Sequence, residues 1–276
     1  MNNNIENEAI TDNIINESEQ DIDAIIDDMT LFDDDLMSLV FDKNILATEL
    51  ILRIILERDI KVVSVRGQVE KKNPNPDGRN IKLDIVAIDV DGSEIDIEVQ
   101  CNASGAHVKR ARYHSSVIDS GLLKKNKDFK KLKDSYVIFI YKHDKFKKGL
   151  PLYHVDRVVR ETGEAFNDGS HIIYVNGKYK GNDDIGKLMK DFHCKSADKM
   201  QFEALADGVR HFKETEEGRE TMCEAVEKYG DRRETQTKIN DVKNLMETVK
   251  FSLEQALDAL KITGKERTMI ISKLQK

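Results

Sequence analysis

The chain has 276 residues, 34% of them charged and 39% hydrophobic, and a formal net charge of -7. No apolar run reaches the roughly 18 residues that a membrane-spanning helix requires, so the composition argues against a membrane protein. The three cysteines, Cys101, Cys194 and Cys223, are odd in number and widely spaced. This usage favours a reduced, cytoplasmic protein over a disulfide framework.

Charge is distributed unevenly along the chain. Residues 1–42 contain 13 acidic and no basic residues, which leaves 38 acidic against 44 basic residues in the remainder. Residues 109–148 carry 13 Lys and Arg against four Asp. Because a phosphate backbone binds to such local positive charge, this segment is a candidate contact for DNA. The alternative is a set of solvated lysine-rich loops.

The first elements in chain order are an acidic arm and an apolar helix. Residues 1–30 contain no aromatic residue and have a composition that fits disorder. A core is predicted at residues 31–195, and its first helix, at about residues 44–58, is apolar on almost every face and therefore buried. Glu49 on this helix is either an ion-pair partner of Arg53 or an acid at the rim of a site.

A strand at about residues 62–65 and an irregular loop at residues 71–79 lead into a predicted β-hairpin at residues 82–100. The second half of the hairpin alternates apolar and polar residues, which is the period of a half-buried strand. The first half is apolar on both faces but carries Asp84 in its interior. A buried Asp is costly unless another group pairs with it.

The length of the hairpin loop decides whether the acidic side chains share a face. A three-residue loop at residues 90–92, with Gly92 in the left-handed region, places Asp84 opposite Glu98, and we choose this register. A loop shifted to residues 91–93 has the same parity, whereas a two-residue turn would separate the carboxylates. Both odd-length loops also place the apolar residues of the two strands on one face: Leu83, Ile85, Ala87, Ile95, Ile97 and Val99.

Clustered carboxylates either share a proton or hold a cation. Asp84 and Glu98, with the amide of Gln100 beside them, offer the oxygen ligands that suit Mg²⁺ or Mn²⁺. Such an ion can activate water and stabilise the charge that develops on a phosphate. The alternative is an exposed acidic strand face that is balanced by lysines.

A helix is predicted after the hairpin at about residues 106–123, with a packed stripe of Val108, Ala111, Ser115, Ile118 and Leu122. Arg110 on this helix contacts a phosphate, holds a site carboxylate or packs against Tyr113. A strand at residues 136–141 closes the predicted central sheet. A further strand and a capping helix are predicted at about residues 171–175 and 183–192.

From residue 196 onward the strand signals vanish, and residues 196–276 are predicted to form a helical C-terminal region. Capping-box patterns at Ser252 and Thr263 predict short helices at about residues 253–260 and 264–274. A pair of this kind forms a small helical hairpin or a homodimer contact more often than a DNA-reading helix-turn-helix.

Taken together, these motifs resemble the PD-(D/E)XK nuclease superfamily and, within it, the recombination-promoting nuclease (Rpn) and transposase branch. The resemblance covers roughly residues 36–195 and implies a restriction-endonuclease-like α/β fold, a mixed sheet flanked by helices. The matching motifs are Asp84, Glu98-Val99-Gln100, Arg110-Ala111-Arg112-Tyr113, the strand at 136–140 and the loop at 146–153. The sequence departs from the superfamily pattern in having Leu83 before Asp84 and Gln100 where many relatives have lysine.

The resemblance also implies roles for particular residues. Asp84 and Glu98 correspond to the metal ligands, Gln100 to the residue that orients the nucleophile, and Glu49 to the acid on the first helix. DNA contacts are assigned to Lys82, Lys109, Arg110 and Arg112.

We therefore predict a metal-dependent DNA endonuclease that uses Mg²⁺ or Mn²⁺. One alternative is a degenerate nuclease that binds nucleic acid or a protein partner without cleavage. Another is an interaction protein that works through its acidic arm and helical tail. A test of metal binding distinguishes the two nuclease-fold hypotheses from the interaction protein. A test of DNA cleavage then distinguishes the active nuclease from the degenerate one.

Overall fold

The computed structural model describes residues 22–274, apart from residues 74, 76 and 124. The chain divides into two compact units, Met1–Met222 and Cys223–Lys276. The first unit contains a sheet flanked by helices, and the second is helical. No helix within the described part of the chain has the length and apolar character needed to cross a membrane.

A mixed six-stranded sheet forms the centre of the first unit, with the strand order β1-β2-β3-β4-β6-β5. Strands β3, β4 and β6 are parallel, and the other neighbours are antiparallel. The strand bounds are β1 (Val62–Lys71), β2 (Ile81–Asp89), β3 (Glu94–Gln100), β4 (Ser135–Tyr141), β5 (Leu152–Val155) and β6 (Ser170–Asn176). The predicted restriction-endonuclease-like α/β class is confirmed.

Three details of the sheet differ from the sequence prediction. Strand β4 lies inside the sheet instead of closing it, because β6 and β5 continue the sheet beyond it. Strand β5 begins inside the predicted loop at residues 146–153; it is only four residues long and directly follows Pro151. Strand β1 also extends to Lys71, so the predicted loop begins later than expected.

The helices of the first unit are residues 22–28 (α1), α2 (Asp34–Phe41), α3 (Ile45–Leu56), α4 (Val108–Leu122), α5 (Asp184–Phe192) and α6 (Glu203–Glu214). Helix α7 (Glu216–Asn244) begins in the first unit and continues into the second. Helix α3 begins where the Asn44 side chain accepts a hydrogen bond from the Ala47 N–H. It buries one face only, because Leu46 remains 73% exposed.

The ends of β1 and β2 contribute apolar side chains to the buried cluster that also contains residues of α4. Gln68 in β1 has φ 55°, in the left-handed region, and the β1–β2 register is the same before it (Gly67 opposite Ile85) and after it (Val69 opposite Leu83). Beyond it, Leu83 packs with Ala111 and Ile118 of α4. The predicted grouping of Leu83 with Ile95 and Ile97 is not found, because the buried cluster that contains Leu83 includes neither of them.

The N-terminal segment is folded from the first described residue. Ile26 of α1 is fully buried, so the part of the predicted disordered arm at residues 22–30 belongs to the folded unit. Residues 1–21 lie outside the described residues. The first unit also continues past the predicted boundary at residue 195 to Met222, because α6 packs against α2.

The second unit contains both predicted tail helices, α8 (Leu253–Ala259) and α9 (Gly264–Leu274). The predicted capping box at Ser252 is present, with reciprocal hydrogen bonds between Ser252 and Gln255. Leu257 and Ile270 pack with Ile239 and Val242 of α7. The pair therefore forms a helical hairpin whose apolar residues are buried against α7.

The buried ammonium of Lys213 anchors the N-terminal segment. Its Nζ donates to the carbonyls of Asp27, Met29 and Lys195 at 2.6 to 2.8 Å, and the residue is 7% exposed. We expect Lys213→Met to lower the free energy of unfolding by about 3 kcal/mol, because the substitution leaves buried carbonyls without a donor. Urea denaturation measures this. Lys187→Met, which removes an exposed ion pair with Asp184, should change it by less than about 0.5 kcal/mol.

Candidate functional site

The β2–β3 hairpin has the predicted register. Ile85 faces Ile97 and Ala87 faces Ile95, and this register places Asp84 opposite Glu98. Gly92 has φ 83°, as the three-residue loop requires. The parity argument from the sequence therefore identified the correct loop.

Three predicted catalytic residues lie together where the hairpin meets α4. The Asp84 N–H donates to Glu98 Oε1 at 3.1 Å, and the Val99 N–H donates to Asp84 Oδ2 at 3.1 Å. Gln100 Nε2 lies 3.4 Å from Asp84 Oδ2 and 3.3 Å from Glu98 Oε2. The amide thus contacts both carboxylates, as expected if the three side chains form one site.

The carboxylates of this site are buried, with Asp84 8% and both Asp96 and Glu98 0% exposed. Burial, reinforced by the charge of Asp96, raises the pKa of Glu98 to about 8. Burial and the charge of Glu98 also raise the pKa of Asp84 well above its usual value. Burial and then the charge of Asp84 do the same to the pKa of Asp96. Such a cluster holds either protons or a cation at neutral pH.

Arg110 of α4 reaches into this cluster. Its Nη2 donates to Glu98 Oε2 at 2.7 Å, and its Nε donates to His114 Nε2 at 3.2 Å. Of the roles considered for Arg110 from the sequence, the structure therefore shows the contact with a site carboxylate. The predicted helix is confirmed as α4, although Val108 of the predicted packed stripe is 49% exposed.

Asp96 and His114 belong to the cluster but were not assigned to it from the sequence. His114 Nδ1 lies 3.0 Å from Asp96 Oδ2 and 3.8 Å from Glu98 Oε1. Two sequence signals could have identified them: Asp96 alternates in phase with Glu98, and His114 is four residues from Arg110 on the same helix face. Burial lowers the pKa of His114, which favours the neutral imidazole.

Glu49 does not lie at this cluster. Its Oε1 accepts a hydrogen bond from the Val62 N–H at 2.9 Å, and Val62 pairs with Asp89. Asp89 is five residues from Asp84 along β2, a separation of roughly 17 Å in a strand. The helix acid whose charge raises the pKa of Asp84 is instead Asp34, in the first turn of α2. The family resemblance assigned Glu49 to the site, but its hydrogen bond lies at the far end of β2 from Asp84.

A basic groove of about 1170 Å³ opens onto the cluster. Gln100 and His114 line it, and they connect the buried carboxylates to the surface. All four bases predicted to contact DNA also line it, together with one more: Lys82, Lys109, Arg110, Arg112 and Arg79.

Tyr113 fixes the wall of this groove. Its hydroxyl donates to the Arg79 carbonyl at 2.5 Å and accepts from Asn73 Nδ2 at 2.7 Å. The Arg-Ala-x-Tyr element thus has three separate tasks: Arg110 holds Glu98, Ala111 is buried in the core, and Tyr113 holds the loop before β2.

The donor set at this site fits a divalent cation. The buried carboxylates have raised pKa values and therefore need a compensating positive charge. Within the described part of the chain, no N–H or O–H group donates to the buried Asp96 Oδ1. The Glu98 carboxyl can donate a hydrogen bond to Asp96 only while it holds a proton. Carboxylate, amide and imidazole groups are all ligands that divalent ions accept.

Comparison with known proteins gives one family match. A family model described as PD-(D/E)XK nuclease family transposase matches residues 41–234. No match was found among curated proteins or among solved structures. The matched residues include the whole sheet, α4 and the carboxylate cluster.

Proposed function

We propose that this chain, which belongs to the PD-(D/E)XK nuclease family transposases, hydrolyses phosphodiester bonds of DNA with the help of Mg²⁺ or Mn²⁺. One observation carries the proposal. Asp84, Glu98 and Gln100 are in mutual contact at the base of a groove lined by five basic residues.

Asp84 and Glu98 would hold the divalent ion through carboxylate oxygens. When bound, such an ion supplies a Lewis acid that activates water and stabilises charge on the phosphate. Arg110 adds positive charge beside Glu98 and lines the groove, so it can also contact a phosphate oxygen.

Gln100 would orient the attacking water. Its Nε2 is directed at the two carboxylates, and its Oε1 remains an acceptor for a water proton. Gly105 permits this placement, because a Cβ at that position would lie 1.8 Å from Gln100 Oε1. A residue larger than glycine at position 105 would therefore clash with the side chain of Gln100 in this position.

Gln100→Lys tests this role. An ammonium group at the position of Nε2 would pair with both carboxylates and restore the charge found in other superfamily members. We expect retained or higher cleavage in a single-turnover assay, whereas Gln100→Met, of similar size, should reduce it because it cannot orient water. Complete loss in Gln100→Lys would show that the amide itself is required.

The groove would bind the DNA backbone. Lys82 of β2 and Arg112 of α4 both line the groove and are exposed, so we expect the double substitution Lys82→Ala and Arg112→Ala to weaken binding. The slope of log K against log salt should decrease by about 2, since each lost phosphate contact contributes about 0.9. Fluorescence anisotropy across a salt series measures this. Removing Lys187 and Lys190 of α5 is the matched control, and an equal effect there would contradict the groove assignment.

The second candidate function is DNA binding without cleavage. The specific observation that favours it is the 2.7 Å contact between Arg110 and Glu98, because a guanidinium can neutralise this carboxylate without an ion. The uncharged Gln100 is consistent with the same function.

Nicking of a supercoiled plasmid tests the proposed function. The parent should nick DNA in Mg²⁺ or Mn²⁺ and not in EDTA, and Asp84→Ala should be inactive. Asp91→Asn removes an exposed carboxylate from the loop of the same hairpin and should remain active. DNA binding with no metal-dependent nicking by the parent would decide for the second candidate.

A further inference from the structure

Asp96, Glu98 and His114 form a cluster of possible metal ligands. The ion proposed to bind Asp84 and Glu98 does not account for Asp96 or His114. Each residue offers one oxygen or nitrogen, and the three atoms lie within 4.8 Å of one another. All three residues are buried, and they come from β3 and α4, two rigid elements. Asp84 is outside this group.

The spacing of these atoms is close to that of neighbouring metal ligands. His114 Nδ1 is 3.0 Å from Asp96 Oδ2 and 3.8 Å from Glu98 Oε1. Ligands that each lie about 2.1 Å from one ion, at right angles, are about 3 Å apart. Small side-chain shifts would therefore suffice for all three to bind one ion.

The second oxygen of Asp96 provides independent support. Asp96 Oδ1 is buried and receives no N–H or O–H donor from the described residues. A buried carboxylate oxygen without a donor is costly. A structural Asp–His pair satisfies Oδ2 alone, and among the described residues the Glu98 carboxyl can serve Asp96 only while it is protonated, whereas a bound cation offsets the cost without that proton.

We propose that Asp96, Glu98 and His114 form a second coordination position, which takes a first-row transition-metal dication through two carboxylate oxygens and one imidazole nitrogen. The nitrogen decides the class of ion, because imidazole binds Mn²⁺, Fe²⁺ or Zn²⁺ more readily than Mg²⁺. The inference rests on the proposed function in that Glu98 is shared with the ion held by Asp84.

Metal binding at this position changes the partners of Arg110. His114 Nδ1 must lose its proton to become a ligand, and a proton on Nε2 would then face the Nε–H of Arg110, which now donates to it. Two donors cannot hydrogen-bond to each other, and Glu98 would no longer need the guanidinium. Arg110 is thereby released toward the groove that it lines, where it can bind a phosphate.

Electron spin-echo spectroscopy of Mn²⁺ bound to the full-length protein tests the inference. We expect a ¹⁴N coupling from imidazole that changes to a ¹⁵N coupling when histidine is ¹⁵N-labelled. The coupling should persist in Asp84→Asn and disappear in His114→Gln. Asp96→Asn, which can still accept a hydrogen bond from His114, should weaken Mn²⁺ binding at least about tenfold.

Two outcomes overturn the inference: no nitrogen coupling in the parent, or a coupling that survives in His114→Gln. Circular dichroism in EDTA measures whether each variant is folded. If His114→Gln does not fold, the ¹⁵N-labelled parent still shows whether an imidazole nitrogen binds Mn²⁺. Cleavage is scored separately. A nitrogen coupling without plasmid nicking supports the second metal position and rejects the proposed function. Nicking without a nitrogen coupling supports the proposed function and rejects the second metal position.

Discussion

Glu98→Gln is expected to reduce DNA cleavage by at least about a thousandfold while leaving DNA binding unchanged or stronger. A bound ion supplies several kcal/mol of transition-state stabilisation, and about 4 kcal/mol corresponds to a thousandfold in rate. The amide keeps the size of Glu98 and can still accept from the Asp84 N–H, but it lacks the charge that retains the ion. Binding should not weaken, because a negative charge near the groove is removed.

Single-turnover cleavage and anisotropy on the same duplex separate these effects. Asp91→Asn is the matched control for loss of one carboxylate from the hairpin. Cleavage by Glu98→Gln within about tenfold of the parent would remove Glu98 from the proposed metal ligands. An equal loss of binding and cleavage would indicate a structural defect instead.

In EDTA, the protein is expected to become less stable as the pH rises from about 5 to 8. Burial and the charge of Asp96 raise the pKa of Glu98 to about 8 from 4.5, so the folded state keeps a proton that the unfolded chain has lost in this range. Each pH unit then reduces the free energy of unfolding by up to about 1.4 kcal/mol for this group, and the Glu98 contribution levels off above pH 8. The raised pKa values of Asp84 and Asp96 act in the same direction.

Urea denaturation at several pH values measures this dependence, with and without Mn²⁺. Saturating Mn²⁺ should remove most of the loss, because the ion replaces the protons. Glu98→Gln in EDTA should show a shallower slope, since one titrating group is absent. If the free energy of unfolding in EDTA is constant or increases between pH 5 and 8, burial does not disfavour the ionised form of these carboxyl groups.

The sequence predicted the hairpin register because the register follows from local patterns, whereas the class of the sheet was implied by the family resemblance. Alternation in β3 and an odd-length loop ending in a left-handed Gly92 leave only a few registers that bury the apolar face. The Arg-Ala-x-Tyr pattern similarly placed Arg110 beside the site.

Long-range features were not predictable in the same way. Gln68 is a residue other than glycine in the left-handed region, and no local pattern indicates this conformation. The positions of Glu49 and Asp34 relative to Asp84 depend on how α2 and α3 pack against the sheet. The burial of α1 depends on carbonyl contacts with Lys213, which is more than 180 residues away.

The cluster of Asp96 and His114 was only partly predictable from the sequence. Each residue has a periodicity that places it near Glu98, but only the packing of α4 against β3 brings the imidazole to the carboxylate. Single residues at a suitable spacing are more often structural than functional, so spacing alone did not identify them. The unsatisfied Asp96 Oδ1 is visible only in three dimensions.

Cleavage of a DNA duplex by the parent in ¹⁸O-water with Mn²⁺, under single-turnover conditions, tests metal-dependent hydrolysis most directly. We predict that mass spectrometry finds one ¹⁸O atom in the new terminal phosphate, with no product in EDTA or from an Asp84→Ala protein prepared in parallel. Product that forms equally with Asp84→Ala, or a terminal phosphate without ¹⁸O, would contradict the proposed reaction.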